Sequence, residues 1–202
     1  MVDVDGDVVV LDVEADSYQC LLDAGTLLSF SDDGKVLAES DEVAQQLIDA
    51  GLCTAKLPPR RRKSITPARR DVRDFQRVSL AEALSAGVSL VRSTVAFKRR
   101  GMSGLIAFDR PLPSTAAAPR QSQILTTASA AAAVLPWIPF ERECLLRGFQ
   151  LQRLFRERGV DVSWVFGVKT WPFAAHCWVQ VGDLVVGDTV DRVSRYTPIM
   201  AV

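Results

Sequence analysis

At 202 residues, 48% of them hydrophobic and 24% charged, the chain can form one or two small globular domains. Its formal net charge is zero, so overall charge favours neither nucleic acid nor a membrane surface as a partner. The longest apolar run, Ala128 to Leu135, is far shorter than the ~20 residues that cross a bilayer. The sequence also opens without the basic and apolar segments of a signal peptide. No transmembrane helix is predicted.

Cysteine usage indicates a reducing compartment. None of the four cysteines belongs to a C-x-x-C pair: Cys20, Cys53, Cys144 and Cys177. Isolated thiols and the missing signal peptide together predict a reduced protein of the cytoplasm.

The first 56 residues have the pattern of a small sheet followed by short helices. Val8 to Asp12 and Tyr18 to Leu22 are rich in strand-forming residues, and the polar residues between them suit a hairpin. A short helix over residues 23–28 and a clearer one from Glu42 to Ala50 have capping residues ahead of them. Because the chain starts shortly before the first strand, an edge strand ahead of it is expected to be short or missing.

Residues 57–77 are predicted to be a basic linker with extended stretches. They contain Pro58, Pro59 and Pro67 among several arginines, and prolines favour extended, irregular chain. The run Arg60 to Lys63 has the charge of a nucleic-acid contact. No aromatic residues interleave it, however, and the whole chain is neutral, so a solvated linker is the favoured interpretation.

Two helices are predicted in the middle of the chain. Ser79 to Lys98 has an apolar stripe at helical spacing that we expect to pack within the C-terminal half: Leu80, Leu84, Val88, Val91 and Val95. A polar connection from Pro111 to Ser122 leads to an alanine-rich helix from Gln123 to Trp137, which Pro136 and Pro139 stop. The chain therefore turns just before Cys144.

His176 is the only histidine, so a reaction that needs a group titrating near neutral pH depends on it. Apolar runs at 179–181 and 184–186, split by Gly182-Asp183, predict a hairpin. With the loop centred on Gly182, His176 lies opposite Asp188; a two-residue loop shifts this register by one. Opposed side chains on one face have Cβ atoms about 5 Å apart, so Asp188 is placed to hold the imidazole in one tautomer.

Cys144 opens a predicted helix that Gly159 ends. Gly148 lies one turn later in the same row, and its missing side chain lets the helix lie close to the element beneath it. A helix N-terminus and a neighbouring imidazolium both favour a thiolate. Cys144, His176 and Asp188 are therefore predicted as nucleophile, general base and orienting carboxylate.

Other interpretations exist for each of these residues. A lone cysteine in an apolar helix is usually buried packing, and a lone histidine at a strand start can be an edge residue. Cys177 competes as nucleophile because it adjoins His176, but successive strand residues point to opposite faces, so Cys177 is expected to face away from the site. Zinc binding by Cys144, His176, Cys177 and Asp188 is disfavoured because no ligand pair has the usual spacing. No metal is expected.

The same segment resembles a known family. The matching positions are Cys144, Leu145, Leu151, Leu154, Arg158, Gly159, Gly167, Val168, Pro172, Phe173, His176, Trp178, Val179 and Asp188. A looser match runs from Val8 to Gly25. The chain resembles the transglutaminase-like cysteine peptidases of lasso peptide biosynthesis, the microcin-processing B proteins that remove the leader from a ribosomally made precursor peptide.

The resemblance implies an α+β chain in three parts. Residues 1–56 are expected to form a winged-helix-like (PqqD-like) leader-recognition domain, 57–77 the linker, and 78–202 a transglutaminase- or papain-like peptidase domain. Such a recognition domain binds a leader as an added strand, with apolar pockets against a helix. Six residues are predicted to make this contact, unless they only form core: Tyr18, Cys20, Leu22, Val43, Leu47 and Ala50.

The implied function is cleavage of the leader–core bond, after which an asparagine-synthetase-like cyclase uses ATP to close the core into a lactam ring. The resemblance also implies a small residue, commonly threonine, next to last in the leader. No cofactor is expected, since the chain lacks a G-x-x-x-x-G-K-[ST] nucleotide loop. Two rival functions remain: a precursor-binding adaptor that does not cleave, and an acyl transferase that passes the thioester to an amine.

Overall fold

The computed structural model describes residues 1–31, 34–56, 64–107, 120–138 and 144–202. Several predicted features lie outside the described residues: the start of the linker with its basic run 60–63, most of the connection from Pro111 to Ser122, and the helix-stopping Pro139.

Five short strands and one α-helix form the N-terminal part of the described chain. Strands β1 (Val2–Val4), β2 (Asp7–Asp12) and β3 (Ser17–Leu21) make an antiparallel sheet in that order. Strands β4 (Leu28–Phe30) and β5 (Val36–Ala38) make a two-stranded ribbon, and helix α1 (Asp41–Asp49) follows. The two predicted strands and the later helix are confirmed; the predicted helix over 23–28 is only one 3-10 turn, Ala24–Thr26.

Turn and capping residues set these boundaries. Asp5 and Gly6 both have positive φ (55° and 93°) and join β1 to β2 in a two-residue hairpin, the geometry that an Asp-Gly pair favours. The Ser40 side chain accepts a hydrogen bond from the Val43 N–H at the start of α1, and Gly51 follows the helix with φ 71°. The expected short edge strand is present as β1.

The N-terminal sheet is covered on both faces. One face packs Val8 against Leu28 of β4 and Leu47 of α1. The other face contributes Val9 and Tyr18 to the large core of the C-terminal part. This arrangement does not confirm a winged-helix domain, which stays a prediction.

A five-stranded sheet organises the C-terminal part, in the order β10-β7-β8-β9-β6. Its strands are β6 (Arg70–Asp71), β7 (Ser163–Lys169), β8 (Ala174–Val181), β9 (Leu184–Val186) and β10 (Thr197–Ala201). Only β6 is parallel to its neighbour. The second half of the predicted linker is thus part of this sheet, and the Thr66 carbonyl also accepts a hydrogen bond from Gln180 Nε2 at 2.7 Å.

Helices cover one face of this sheet. They are α2 (Leu80–Phe97), α3 (Met102–Ala107), α4 (Gln121–Val134) and α5 (Cys144–Glu157). The short helix α6 (Val190–Val193) lies on the other face, where Val193 packs with Trp178 and Val185. Helix α5 lies against β7 and β8, and α2 and α4 lie against α5. The helix of Cys144 and its end at Gly159 (φ 74°) are confirmed.

Helix α2 corrects the predicted packing of its apolar stripe. The stripe faces solvent: Leu80 is 84% exposed and Leu84 70%. The buried side of α2 is instead made of small and polar residues, and Thr94 Oγ1 accepts a hydrogen bond from Gln150 Nε2 of α5 at 2.8 Å. Small side chains let the two helices approach closely, so α5 contacts the polar side. By length and composition α2 could also cross a membrane, a property shared by core helices of soluble proteins.

Replacing Gly148 by alanine should destabilise the fold. The added Cβ would lie 2.9 Å from Trp164 Cδ1, so α5 must move away from the sheet, at a cost of about 1–3 kcal/mol. Urea denaturation measures this loss. Gly87→Ala is the matched control, since its Cβ meets nothing closer than Val134 Cγ1 at 3.5 Å and helix propensity favours alanine. Equal stabilities of the two variants would contradict the close approach of α5.

Candidate active site

The imidazole of His176 and the carboxylate of Asp188 are in direct contact. His176 Nε2 lies 2.5 Å from Asp188 Oδ2, and Asp188 Oδ1 accepts a hydrogen bond from the Thr189 N–H at 2.8 Å. With Nε2 held by Asp188, the other ring nitrogen, Nδ1, is left for a reaction partner.

The contact between His176 and Asp188 does not arise from the predicted register of the hairpin. Val181 pairs with Leu184 and Val179 with Val186, so the loop has two residues and the interpretation with a loop centred on Gly182 is wrong. The pairing ends at Val186, and Gly187 follows with φ 74°. This left-handed conformation, which glycine adopts readily, turns the chain so that Asp188 reaches His176 without being its cross-strand partner.

The His176 ring is packed between aromatic side chains. It is only 5% exposed, with Tyr196 5.2 Å and Trp178 6.2 Å away between ring centroids. Gly167 lies opposite His176 on β7, and a Cβ there would come within 2.9 Å of both Trp178 and Tyr196 atoms. The glycine therefore makes room for the aromatic pair that fixes the imidazole.

Cys144 is the first residue of α5 and is half-buried. It lines a cavity of about 260 Å³ together with His176 and Asp188. The three residues predicted as nucleophile, base and orienting carboxylate thus border one cavity, although α5 lies on the opposite face of the sheet from the His176 ring. The cavity also includes Arg192, whose Nη1 is 4.0 Å from Asp188 Oδ2.

The open edge of β8 explains how the two faces meet. Strand β9 pairs with residues 179–181 of β8 only, so in the described structure no strand covers the edge of β8 beside His176. The imidazole lies on one face, and the start of α5 lies on the other. Cys144 and His176 line the same cavity beside this uncovered edge, and each shifts the pKa of the other.

The charges at the site favour a thiolate beside an imidazolium. Hydrogen bonds from the Cys177 thiol and from His176 lower the pKa of Cys144 to about 4, against the opposing effect of burial. Burial alone would lower the pKa of His176, but the hydrogen bonds to Asp188 and Cys144 raise it to about 9. Burial opposes ionisation of Asp188 too, yet the bonds from His176 and the Thr189 N–H hold its pKa below the usual range.

Cys177 corrects the expectation that it faces away from the site. It does lie on the opposite face of β8 from His176, but that face is covered by α5, so its thiol contacts the Cys144 sulfur. Its own pKa is raised, first by that contact and then by burial. Cys177 is therefore a protonated donor to the thiolate and not a competing nucleophile.

Sequence patterns missed Arg192 and Tyr196 at the site because they did not predict α6 and β10. Thr189 caps α6 by accepting a hydrogen bond from the Arg192 N–H. A threonine ahead of an acidic residue is a weak sign of such a short helix. Pro198 interrupts the apolar pattern of β10, an edge strand in which proline is tolerated.

The six residues predicted to bind a leader do not form one surface. Tyr18 and Cys20 lie on the face of β3 that is shared with Val9 and Leu11 of β2. Val43 and Leu47 of α1 pack on the other face of this sheet. Leu22 is 62% exposed just beyond β3, and Ala50 is the exposed C-cap of α1.

Removing the Cys177 thiol should raise the pKa of Cys144. A hydrogen bond to a charged group contributes about 1.5–3 kcal/mol, so we expect Cys177→Ala to shift the pKa upwards by roughly one to two pH units. The rate of iodoacetamide labelling at Cys144, followed by mass spectrometry across pH, reports the thiolate fraction. Cys177→Ser keeps a donor and should shift the midpoint less. An unchanged midpoint in Cys177→Ala would contradict the thiol contact.

Comparison with known proteins identifies the family of this chain. Residues 86–201 match the family described as transglutaminase-like superfamily. The microcin J25-processing protein McjB of Escherichia coli is 41% identical over 49 residues, which are 24% of this chain and 24% of that protein. The chain thus aligns with about a quarter of the length of this relative. No solved structure matches it. Because the family match covers more than half of the 202 residues, the chain belongs to the transglutaminase-like superfamily.

Proposed function

We propose that this chain is a thiol peptidase that cleaves the leader from a ribosomally made precursor during lasso peptide maturation. The observation that carries the proposal is the convergence of Cys144, His176 and Asp188 on one cavity, where His176 Nε2 contacts Asp188 Oδ2. The pKa shifts of Cys144 and His176 favour a thiolate beside an imidazolium. Membership of the transglutaminase-like superfamily is consistent with thioester chemistry. The partial similarity to a microcin-processing protein supports the substrate class.

In the proposed mechanism the Cys144 thiolate attacks the carbonyl carbon at the leader–core junction. The imidazolium of His176 gives its proton to the leaving amine, which frees the core and leaves the leader as a thioester on Cys144. His176, now neutral, takes a proton from water, and the resulting hydroxide attacks the thioester and releases the leader acid. Asp188 keeps the imidazole in the required tautomer and stabilises its charged form.

The oxyanion of each tetrahedral intermediate needs a hydrogen-bond donor. The backbone N–H of Cys144, at the first position of α5, has no carbonyl partner within the helix and is our candidate. The N-terminal end of the helix adds a favourable dipole for the negative oxygen.

The freed core would pass to an ATP-dependent, asparagine-synthetase-like cyclase that forms the lactam ring. In this division of work the peptidase itself needs no cofactor, because the side chains supply every proton transfer. Both proteins would act in the cytoplasm, where the precursor is made and Cys144 stays reduced.

Acyl transfer to an amine is the second candidate function, because water and an amine can resolve the same thioester. The open edge of β8 gives the thioester a side from which either nucleophile can approach. Mass spectrometry of the products separates the two outcomes: hydrolysis yields a free leader acid, and transfer yields a leader amide.

Substitutions in the triad test the peptidase proposal directly. The substrate is the precursor peptide encoded beside the gene, and cleavage is followed by mass spectrometry. We expect Cys144→Ala and His176→Ala to abolish detectable cleavage and Asp188→Asn to reduce kcat by roughly 10³–10⁴-fold, the size of such losses in triad enzymes. Cleavage that persists in Cys144→Ala would exclude this nucleophile, and binding without cleavage by the unaltered protein would favour the adaptor.

The pH dependence of cleavage should be bell-shaped with a broad plateau. Activity rises as Cys144 loses its proton near pH 4 and falls as His176 loses its proton near pH 9, so the ion pair exists between these limits. Asp188→Asn removes a contact that raises the His176 pKa, and its alkaline limb should move to lower pH. A limb that stays in place would show that Asp188 does not control His176.

A further inference from the structure

The carboxamide of Gln180 is a buried polar group on the central strand of the C-terminal sheet. Gln180 is 1% exposed, and alternation along β8 puts its side chain on the face of His176 and Trp178. Its Oε1 accepts a hydrogen bond from the Trp178 indole N–H at 2.9 Å, and its Nε2 donates to the Thr66 and Gly182 carbonyls at 2.7 and 2.8 Å. An indole N–H only donates and a carbonyl only accepts, so each partner fits one end of the amide alone. The orientation of the carboxamide is therefore fixed.

The Gln180 amide holds one of the two aromatic rings beside the catalytic imidazole. Trp178 is buried, and its ring centroid lies 6.2 Å from that of His176, with 28° between the two planes. Because the indole N–H is directed at Gln180 Oε1, the plane that the indole presents to the imidazole is fixed as well. A change at Gln180 therefore reaches His176 through the indole.

A segment ahead of α2 supplies another partner of this amide. Residues 64–71, which we call the strap, end in strand β6. Thr66 of the strap gives the carbonyl that accepts from Gln180 Nε2. Two further strap residues pack against the apolar cluster that includes Trp178: Ile65 and Ala68. The strap and the indole therefore share an apolar cluster as well as the Gln180 amide.

The strap is fastened to the loop between β8 and β9. The backbone N–H groups of Arg69 and Arg70 donate to the Asp183 carbonyl at 2.9 and 3.2 Å. The Arg70 guanidinium also bonds both carboxylate oxygens of Asp183, with Nη2 2.6 Å from Oδ1 and Nε 3.2 Å from Oδ2. Arg70 and Asp71 then pair with β9 in parallel. Backbone and side-chain bonds together fix the strap relative to β8 and β9.

Asp71, the last residue of the strap, bonds to the chain that presents the catalytic carboxylate. Its Oδ2 accepts a hydrogen bond from the Val190 N–H at 3.1 Å, and the Arg73 guanidinium donates to its Oδ1 at 2.6 Å. Val190 is two residues after Asp188, and Thr189 between them donates its N–H to Asp188 Oδ1. The Asp71 carboxylate thus fixes the backbone next to Asp188.

We propose that Gln180 and Asp71 are positioning residues, through which the strap holds the catalytic imidazole and carboxylate in their mutual geometry. Neither residue lines the catalytic cavity, so each acts through a neighbour and not on the substrate. Gln180 acts on the imidazole through the Trp178 indole, and Asp71 acts on the carboxylate through the Val190 N–H. A misplacement of about 1 Å in a catalytic site can cost roughly 10²-fold in rate, so a small shift of either group is measurable. The inference rests on the proposed function, because it concerns the same reaction.

His176 gives a direct readout of its own surroundings, because it is the only histidine in the chain. The nitrogen NMR signals of the imidazole, recorded across pH on the full-length protein, report its pKa without any substrate. Burial lowers this pKa, but the bonds to Asp188 and Cys144 raise it to about 9. A displaced imidazole stays buried and loses part of these bonds. In Gln180→Met we therefore expect the pKa to fall by about one pH unit.

Cleavage of the precursor peptide encoded beside the gene gives a kinetic measurement of the same effect. Gln180→Met should lower kcat roughly 10- to 100-fold and leave KM little changed, since the groups that line the cavity all remain. Gln150→Met is the matched control, because Gln150 is also buried, at 3%, and its Nε2 donates to Thr94 Oγ1 of α2, outside the catalytic cavity. This control removes a buried amide from the fold but should change neither the imidazole pKa nor kcat.

Two further substitutions test each side of the pair separately. Asp71→Ala removes the acceptor of the Val190 N–H and should lower both the imidazole pKa and kcat, whereas Asp71→Asn keeps an acceptor and should lose less. Trp178→Phe removes the indole donor and keeps a ring beside the imidazole. If Gln180 acts through this indole, Gln180→Met should add little to the effect of Trp178→Phe in the double variant.

An unchanged imidazole pKa in folded Gln180→Met or Asp71→Ala protein would overturn the inference, as would an equal shift in Gln150→Met. Effects that multiply in full in the double variant would also overturn it, because Gln180 would then act independently of the indole. The proposed function fails in a different way. A shifted imidazole in a protein that cleaves no precursor removes the peptidase and keeps the strap, and cleavage that all these variants retain in full removes the strap alone.

Discussion

The site depends on the electrostatic interaction between the Cys144 thiol and the His176 imidazole, which line one cavity beside an uncovered strand edge. The two side chains belong to opposite faces of the sheet, and a β9 that continued to pair beyond Val186 would separate them. The shortness of β9 is therefore required for the arrangement of the catalytic groups. It leaves the edge of β8 open, and the residues that follow it bring Asp188 to the imidazole.

Glycine residues determine the geometry of the site as much as its polar groups do. Gly148 lets α5 lie on the sheet, Gly167 accommodates the aromatic pair beside His176, and Gly187 both turns the chain and leaves space for Leu151, whose Cδ1 would be 2.7 Å from an added Cβ. Each position controls the separation of two backbones. The distance between thiol and imidazole thus follows from backbone packing as well as from local hydrogen bonds.

Local patterns predicted the elements that present the reacting groups, but not all of their contacts. The helix of Cys144, the His176 strand and the two-residue alternative for the hairpin could be read from periodicity, capping and turn residues. Alternation along β8 correctly put Cys177 on the other face from His176. It did not show which face α5 covers, and so misplaced Cys177 relative to Cys144.

Tertiary packing accounts for the other differences from the predictions. The stripe on α2 has the spacing of a buried face, yet α5 contacts the opposite side, where Ser89, Ser93 and Thr94 are buried. Their hydroxyls are satisfied within the fold: Ser93 and Thr94 donate to α2 carbonyls, and Ser89 donates to Glu157. The spacing of apolar residues shows that a helix is amphipathic, but it does not show which face packs against a neighbouring element. The pairing of β6 with β9 could not be predicted from local sequence patterns either, because the two strands are far apart in the chain.

The common core has a consequence for dissecting the protein into parts. Val4 and Val9 of the N-terminal sheet belong to the same cluster as Phe149 and Trp164, so a cut after residue 56 would expose apolar surface on both fragments. Neither fragment would keep the packing that its residues have in the intact protein. A protein that carried these two parts on separate polypeptides would have to rebuild this contact as a subunit interface or replace its apolar residues with polar ones.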